Sequence, residues 1–258
     1  MIKIEEGFKK DGKAFVAFIT AGDPTLEATE RYLKVLQDGG ADIIEVGIPF
    51  SDPIAEGVVI QEADIRALKH NVTVDNIFAM LEKVEKRVPF LFMTYANPVF
   101  FYGYDKFFAR CQKAGIAGVI IPDIPCKESG EVKVVAEKYG IVVTDMVAPT
   151  SGERVKNTCK DSKGFIYLVS SMGVTGVREK IETDVGAIVQ TIKKVTTTPV
   201  CVGFGISTPE QAKKTAEVAD GVIVGSAIVR IIAEYGEKAE EPLYRYISSM
   251  SSAVHGRS

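Results

Sequence analysis

The sequence predicts an α/β fold of the (β/α)8 TIM barrel class, and three observations carry that prediction. Short runs rich in Val, Ile and Phe alternate with segments of helical periodicity, the runs number eight, and each is apolar almost throughout. Parallel strands buried on both faces read this way, whereas one-sided antiparallel strands alternate apolar with polar residues. The length of 258 residues suits one such barrel. An open, doubly wound sheet is the other arrangement that βα alternation permits, and eight strands favour closure.

Taken in order, the predicted strands are Ala14–Thr20, Asp42–Val46, Pro89–Thr94, Gly118–Ile121, Ile141–Asp145, Phe165–Val169, Pro199–Val202 and Gly221–Val224. An extra helix is expected before the first of them. Asp23-Pro24 reads as an N-cap followed by proline at the first helical position. Leu26, Leu33 and Leu36 then share one helical face, and Gly39-Gly40 closes the helix. Ser207-Thr208-Pro209-Glu210 has the capping-box pattern that opens a helix running to about Ala219. Gly40-Ala-Asp-Ile-Ile-Glu-Val-Gly, Gly115-Ile-Ala-Gly-Val-Ile-Ile-Pro and Ala219-Asp-Gly-Val-Ile-Val-Gly repeat one theme, a helix end leading through a strand into a Gly or Pro turn. No linker-like stretch interrupts the chain, so residues 1–258 read as a single domain.

Composition narrows the function classes. Apolar residues make up 46% and charged residues 25%, the balance of a globular protein with a large core. The net charge is −3 with no basic block, which argues against nucleic acid as a partner. The apolar runs are too short to span a bilayer, and Met1-Ile-Lys-Ile-Glu-Glu does not resemble a signal peptide, so a cytoplasmic location is expected. Cys111, Cys126, Cys159 and Cys201 form no Cys-x-x-Cys pair and read as buried reduced thiols rather than a disulfide framework or a structural zinc site.

The second strand carries the most chemical information. Alternation places Ile43, Glu45 and Gly47 on one face and Ile44, Val46 and Ile48 on the other. With the second set under the helices, Glu45 points into the barrel near its C-terminal mouth, where barrel enzymes keep their sites. Burial without a cation raises a carboxyl pKa and suits it to proton transfer near neutrality. The bland alternative is a buried glutamate satisfied by a neighbouring hydroxyl or lysine. Pro49-Phe-Ser-Asp-Pro-Ile-Ala-Glu-Gly57 follows, with Glu56 a second carboxylate in reach; Asp52 and Glu56 read equally well as solvated loop charges.

Gly203-Phe-Gly-Ile-Ser207 follows the seventh strand, and Gly225-Ser-Ala227 follows the eighth and opens a helix. Glycines there let backbone N–H groups approach an anion, and a helix N-terminus adds favourable partial charge, so a phosphate site is expected after strands seven and eight. Ser170-Ser-Met-Gly-Val-Thr-Gly176 has the composition of a mobile lid, with an ordinary surface loop as the alternative.

Absences narrow the mechanism. No lysine ends a predicted strand, which leaves Schiff-base aldol chemistry without a nucleophile. The chain has two histidines, His70 near a helix end and His255 in the C-terminal tail, so neither a metal-ligating cluster nor a Ser–His pair is expected. Carboxylate acid/base work on a phosphorylated ligand remains.

From Phe18-Ile-Thr-Ala-Gly-Asp-Pro24 to Gly225-Ser-Ala-Ile-Val-Arg230, the sequence resembles the α subunits of tryptophan synthase. The most specific stretch is Glu45-Val-Gly-Ile-Pro-Phe-Ser-Asp-Pro53 with Gln61. Tyr95-Ala-Asn-Pro-Val-Phe100, Pro122-Asp-Ile-Pro125, Tyr167-Leu-Val-Ser170 and Gly173-Val-Thr-Gly176 match in order. The resemblance implies reversible retro-aldol cleavage of indole-3-glycerol phosphate to indole and glyceraldehyde 3-phosphate. It implies Glu45 as the catalytic carboxylate, with Glu56 facing the indole N–H. Phe18, Tyr95, Tyr167 and Thr175 are implied around the substrate, and Gly176, Gly205, Gly225 and Ser226 at the phosphate. It further implies no cofactor in this chain, and a β subunit that carries pyridoxal phosphate, meets Asp52 and Pro53 in an α2β2 complex and receives indole.

One functional position departs from the family pattern. Where the family usually has Asp-Gly-Pro, this chain has Glu56-Gly57-Val58. The glutamate keeps the charge but adds a methylene, and loss of the proline loosens the loop. The alternative reading that this departure supports is a catalytically weak regulatory subunit that binds phosphate ligands and activates a partner.

Overall fold

Strands that are apolar on both faces need cover on both, and the chain supplies it by closing the sheet. In the computed structural model, which describes residues 1–148, 159–169, 185–203 and 205–256, eight parallel strands form a closed barrel in sequence order. They are β1 (Ala14–Thr20), β2 (Ile43–Gly47), β3 (Phe90–Met93), β4 (Gly118–Ile120), β5 (Val142–Val147), β6 (Ile166–Val169), β7 (Val200–Gly203) and β8 (Gly221–Val224). β1 closes the ring against β8, with Ala14 opposite Gly221. The predicted strands all exist, and most of their ends differ by a residue or two.

Helices α1 (Leu26–Asp38), α2 (Val58–Leu68), α3 (Val74–Leu81), α4 (Ala96–Tyr102), α5 (Tyr104–Lys113), α6 (Gly130–Lys138), α7 (Val185–Lys193), α8 (Pro209–Val218), α9 (Ser226–Tyr235) and α10 (Glu240–Val254) are described around the barrel. The element before β1 is a short 3-10 helix, Ile4–Phe8, whose Ile4 is buried in the barrel floor cluster. Two apolar layers result. Ile44, Val46 and Ile48 join the layer between strands and helices, while Ile43, Phe18, Leu91, Tyr167 and Ile223 fill the barrel interior.

Two helix starts correct the sequence reading. The first helix is capped by Thr25, whose hydroxyl accepts the Ala28 N–H at 3.1 Å. Asp23 is unavailable for that role because Arg66 of α2 holds both its oxygens, each at 2.8 Å. At α8 the box is shifted by one residue: Thr208 is the cap and Gln211, not Glu210, closes it. Pro209 takes the first helical position, where its missing N–H costs nothing. Leu33 and Leu36 are buried as predicted and Leu26 packs against the same cluster.

His255 is a further correction. It is no loose tail residue: its side chain is fully buried, between Asp11 and Asp42 at the amino end of the barrel.

Candidate active site

The C-terminal ends of the strands open on a cavity of about 290 Å³, lined by Phe18, Glu45, Glu56, Tyr167, Gly205, Gly225, Ser226 and Arg230 among others. Strand alternation delivers the lower wall. Phe18 and Glu45 are register neighbours on β1 and β2, and both point inward because Ala17, Ile19, Ile44 and Val46 pack outward. Glycines make the room. A Cβ on Gly47 would stand 2.6 Å from the Phe18 ring, and one on Gly203 would stand 2.6 Å from the Tyr167 hydroxyl.

Glu45 is completely buried, and among the described residues neither of its carboxylate oxygens has a hydrogen-bond partner. Burial alone pushes its pKa up to about 8. Ionisation in that position has no compensating cation, so the acid is neutral at pH 7. The bland alternative of a satisfied core glutamate is therefore not what the geometry presents. Its proximity also acts on Tyr167, whose phenol is held well above its usual pKa by burial and then by the Glu45 charge.

Glu56 is buried at the opposite wall, which decides between the two readings left open for it. Asp52 is exposed and accepts the Ser51 hydroxyl at 2.6 Å, and Pro53 is half-buried. The loop from Pro49 to Gly57 is seated on Tyr95: the Phe50 and Tyr95 rings lie 5.3 Å apart, and the Ala55 N–H donates to the Tyr95 hydroxyl at 3.1 Å. Gln61, one turn into α2, donates to the Glu56 carbonyl at 2.8 Å. Tyr95 thus holds the loop from below, and its hydroxyl faces the Glu56 carboxylate.

The sequence reading missed two residues behind this wall. Asp64 of α2 is almost fully buried and faces Glu56, and burial followed by the Glu56 charge raises its pKa. Its signal was available: α2 buries Ala63, Asp64 and Ala67, so one carboxylate sits inside an apolar stripe. Asp123, in the Pro122-Asp-Ile-Pro125 segment, accepts the Ala96 N–H at 2.9 Å and so fixes the start of α4 beside Tyr95.

Gly205 and the Gly225–Ser226 start of α9 meet at the far wall of the same cavity. Gly205 has φ +79°, a conformation that a Cβ disfavours. The first N–H groups of α9 have no intrahelical acceptor, which makes this wall suited to an anion. Thr175 and Gly176 lie outside the described residues. A separate cavity of about 380 Å³ beside the amino end of β5 is flanked by Lys133 and Lys163, which are already paired with Asp145 and Glu137. Among the described residues no group of three or more His, Cys, Asp or Glu could hold a metal ion, and no helix is long and apolar enough to cross a membrane.

A closed parallel barrel with a buried, unpaired carboxyl in a cavity at the C-terminal ends of its strands defines an enzyme of the (β/α)8 class. The family model described as tryptophan synthase alpha chain matches residues 5–255. A tryptophan synthase alpha chain from Lacticaseibacillus casei is 45% identical, over 100% of this chain and 97% of its own. The tryptophan synthase subunit alpha of Legionella pneumophila superposes with a TM-score of 0.89 at 35% identity, covering 99% of each chain. A chain of the Pyrococcus furiosus tryptophan synthase α2β2 complex does so at 0.85 with 37% identity, covering 93% of this chain and 98% of that one. The chain belongs to the tryptophan synthase alpha chain family. The reaction of that family is cleavage of indole-3-glycerol phosphate, and its members are lyases.

Proposed function

We propose that this chain cleaves indole-3-glycerol phosphate by proton transfer through Glu45, with the phosphate at Gly205, Gly225 and Ser226 and the indole between Phe18, Tyr167 and Glu56. The observation that carries the reading is the fully buried Glu45 carboxyl at the cavity floor, which has no hydrogen-bond partner among the described residues. Resting as an acid, it has a proton to give to the indole C3. Protonation there makes the ring an electron sink, so the carbon–carbon bond can break without metal or imine. The resulting carboxylate then takes the proton of the glycerol hydroxyl as the aldehyde forms, which restores the acid. An anionic Glu56 facing the ring N–H stabilises the positive charge that develops on the indole nitrogen. Thr175 and Gly176 are proposed to complete the substrate and phosphate contacts from the segment that follows β6.

Residues 1–258 are proposed to act as one cytoplasmic domain, in complex with a β subunit that receives indole and carries the pyridoxal phosphate chemistry. Ile54, beside Asp52 and Pro53, is 76% exposed, and Phe100 and Phe101 on α4 are 68% and 90% exposed. The adjacent exposed rings of Phe100 and Phe101 are proposed as part of the surface that meets that partner. Glu45→Gln tests the reading, because it keeps the shape and removes the proton. Indole release from indole-3-glycerol phosphate should fall by about 100-fold or more while ligand binding persists. An unchanged rate would refute the assignment.

A further inference from the structure

Glu56 and Asp64 are two buried carboxyls side by side, Glu56 at the loop end and Asp64 on the inner face of α2. Each leaves one buried oxygen, Glu56 Oε2 and Asp64 Oδ2, without a hydrogen-bond donor. Two carboxylates in contact away from water repel one another and cannot satisfy either oxygen. One proton held between them supplies the missing donor and removes the repulsion. Asp64 is the deeper of the two and also stands near the Asp23 charge, whereas Glu56 has the Tyr95 hydroxyl beside it and lines the cavity. Deeper burial and the Asp23 charge both favour the proton on Asp64.

We propose that Asp64 is a positioning residue: as a neutral acid it donates a hydrogen bond to Glu56 and holds that side chain, as an anion, against the cavity wall. This rests on the role proposed for Glu56, and it answers the length of that side chain. A glutamate has one more rotatable bond than an aspartate, and free at the wall it would spread over several rotamers. A second anchor behind it restores a single orientation. Asp64 is itself fixed, since Arg66 two residues on clamps α2 to the end of β1 through Asp23, and the Phe50 N–H faces Asp64 from the start of the loop. The loop is thereby held at both ends by one side chain.

Asp64→Asn and Asp64→Leu separate this from a merely structural role. The amide can donate to Glu56 in place of the acid and leucine cannot, while the two are close in size. Asp64→Asn should cleave indole-3-glycerol phosphate at close to the wild-type rate, and Asp64→Leu should lose about 100-fold in kcat. Infrared spectra recorded at pH 7 with Glu45→Gln as background, which removes the other neutral acid, should show a protonated carboxyl band that vanishes when Asp64→Asn is added. Persistence of that band, or wild-type kcat in Asp64→Leu, would overturn the proposal. Should the unmodified chain release no indole, the proposed function fails, yet the infrared comparison still decides whether the Glu56–Asp64 pair holds a proton.

Discussion

His255 Nε2 lies 2.8 Å from Asp42 Oδ2, and its Nδ1 lies 2.7 Å from Asp11 Oδ2. The imidazole thus bridges the loop before β1 and the residue that begins the β2 segment, at the end of the barrel opposite the cavity. Asp42 also receives Lys10 at 2.5 Å and the Phe15 N–H at 2.8 Å. These contacts fasten the end of α10 over the barrel floor, and hydrogen bonds to Asp42, first, raise the His255 pKa above its usual 6.5.

That shift makes stability depend on pH in a definite direction. A raised folded-state pKa means that the protonated, paired imidazole favours the folded chain. The contribution is complete below about 6.5 and is lost as pH rises through the folded value. His255→Leu should cost about 2 kcal/mol at acid pH, less at pH 9, as read by urea unfolding across that range. A cost independent of pH would show that packing alone holds the imidazole.

In the proposed reaction Glu45 donates its proton before it accepts one. With its pKa near 8, kcat/KM for indole-3-glycerol phosphate should be steady at neutral pH and decline above about pH 8. Rates measured from pH 6 to 10 check this, and a rate that rises through pH 8 would mean that the carboxylate starts the reaction.

The rings beside Glu45 have no spare room. Gly203→Ala would place a methyl group 2.6 Å from the Tyr167 hydroxyl, and Gly47→Ala one 2.6 Å from the Phe18 ring. Each should destabilise by about 1–3 kcal/mol through overpacking and raise KM, because the displaced ring enters the cavity. Thermal unfolding and steady-state kinetics on both variants test it.

Arg66 and Asp23 form a bidentate pair in which Asp23 is almost fully buried. Arg66→Ala strands that carboxylate and should cost about 3 kcal/mol. Since the pair also anchors α2, turnover should fall along with stability, and Arg66→Lys, which loses the two-pronged geometry, should recover only part of either.

Phe101 should matter to the partner and not to the cavity. Phe101→Asp is expected to weaken binding to the β subunit in titration calorimetry, while indole release by the isolated chain stays unchanged. Loss of that basal rate would place Phe101 in the catalytic structure instead.

Much of this was legible in the chain itself. Period-two alternation in Ile43–Gly47 fixed which way Glu45 points, because a strand covered by helices on one side has only one other side. Apolar strands alternating with helices specified the barrel, and Gly205 with Gly225 marked one wall of the cavity. These features depend on neighbours along the chain, and local order preserves them.

Other features depend on residues distant in sequence, and only the folded chain decides them. Asp23 reads as a helix cap until Arg66, 43 residues on, takes both its oxygens. His255 reads as tail until Asp11 and Asp42 bury it. Glu56 reads equally as solvated charge or pocket wall until Asp64 and Tyr95 close behind it. The physical reason is common to all three. The state of a charged side chain is set by its distance to other charges and to water, and closure of the barrel determines both.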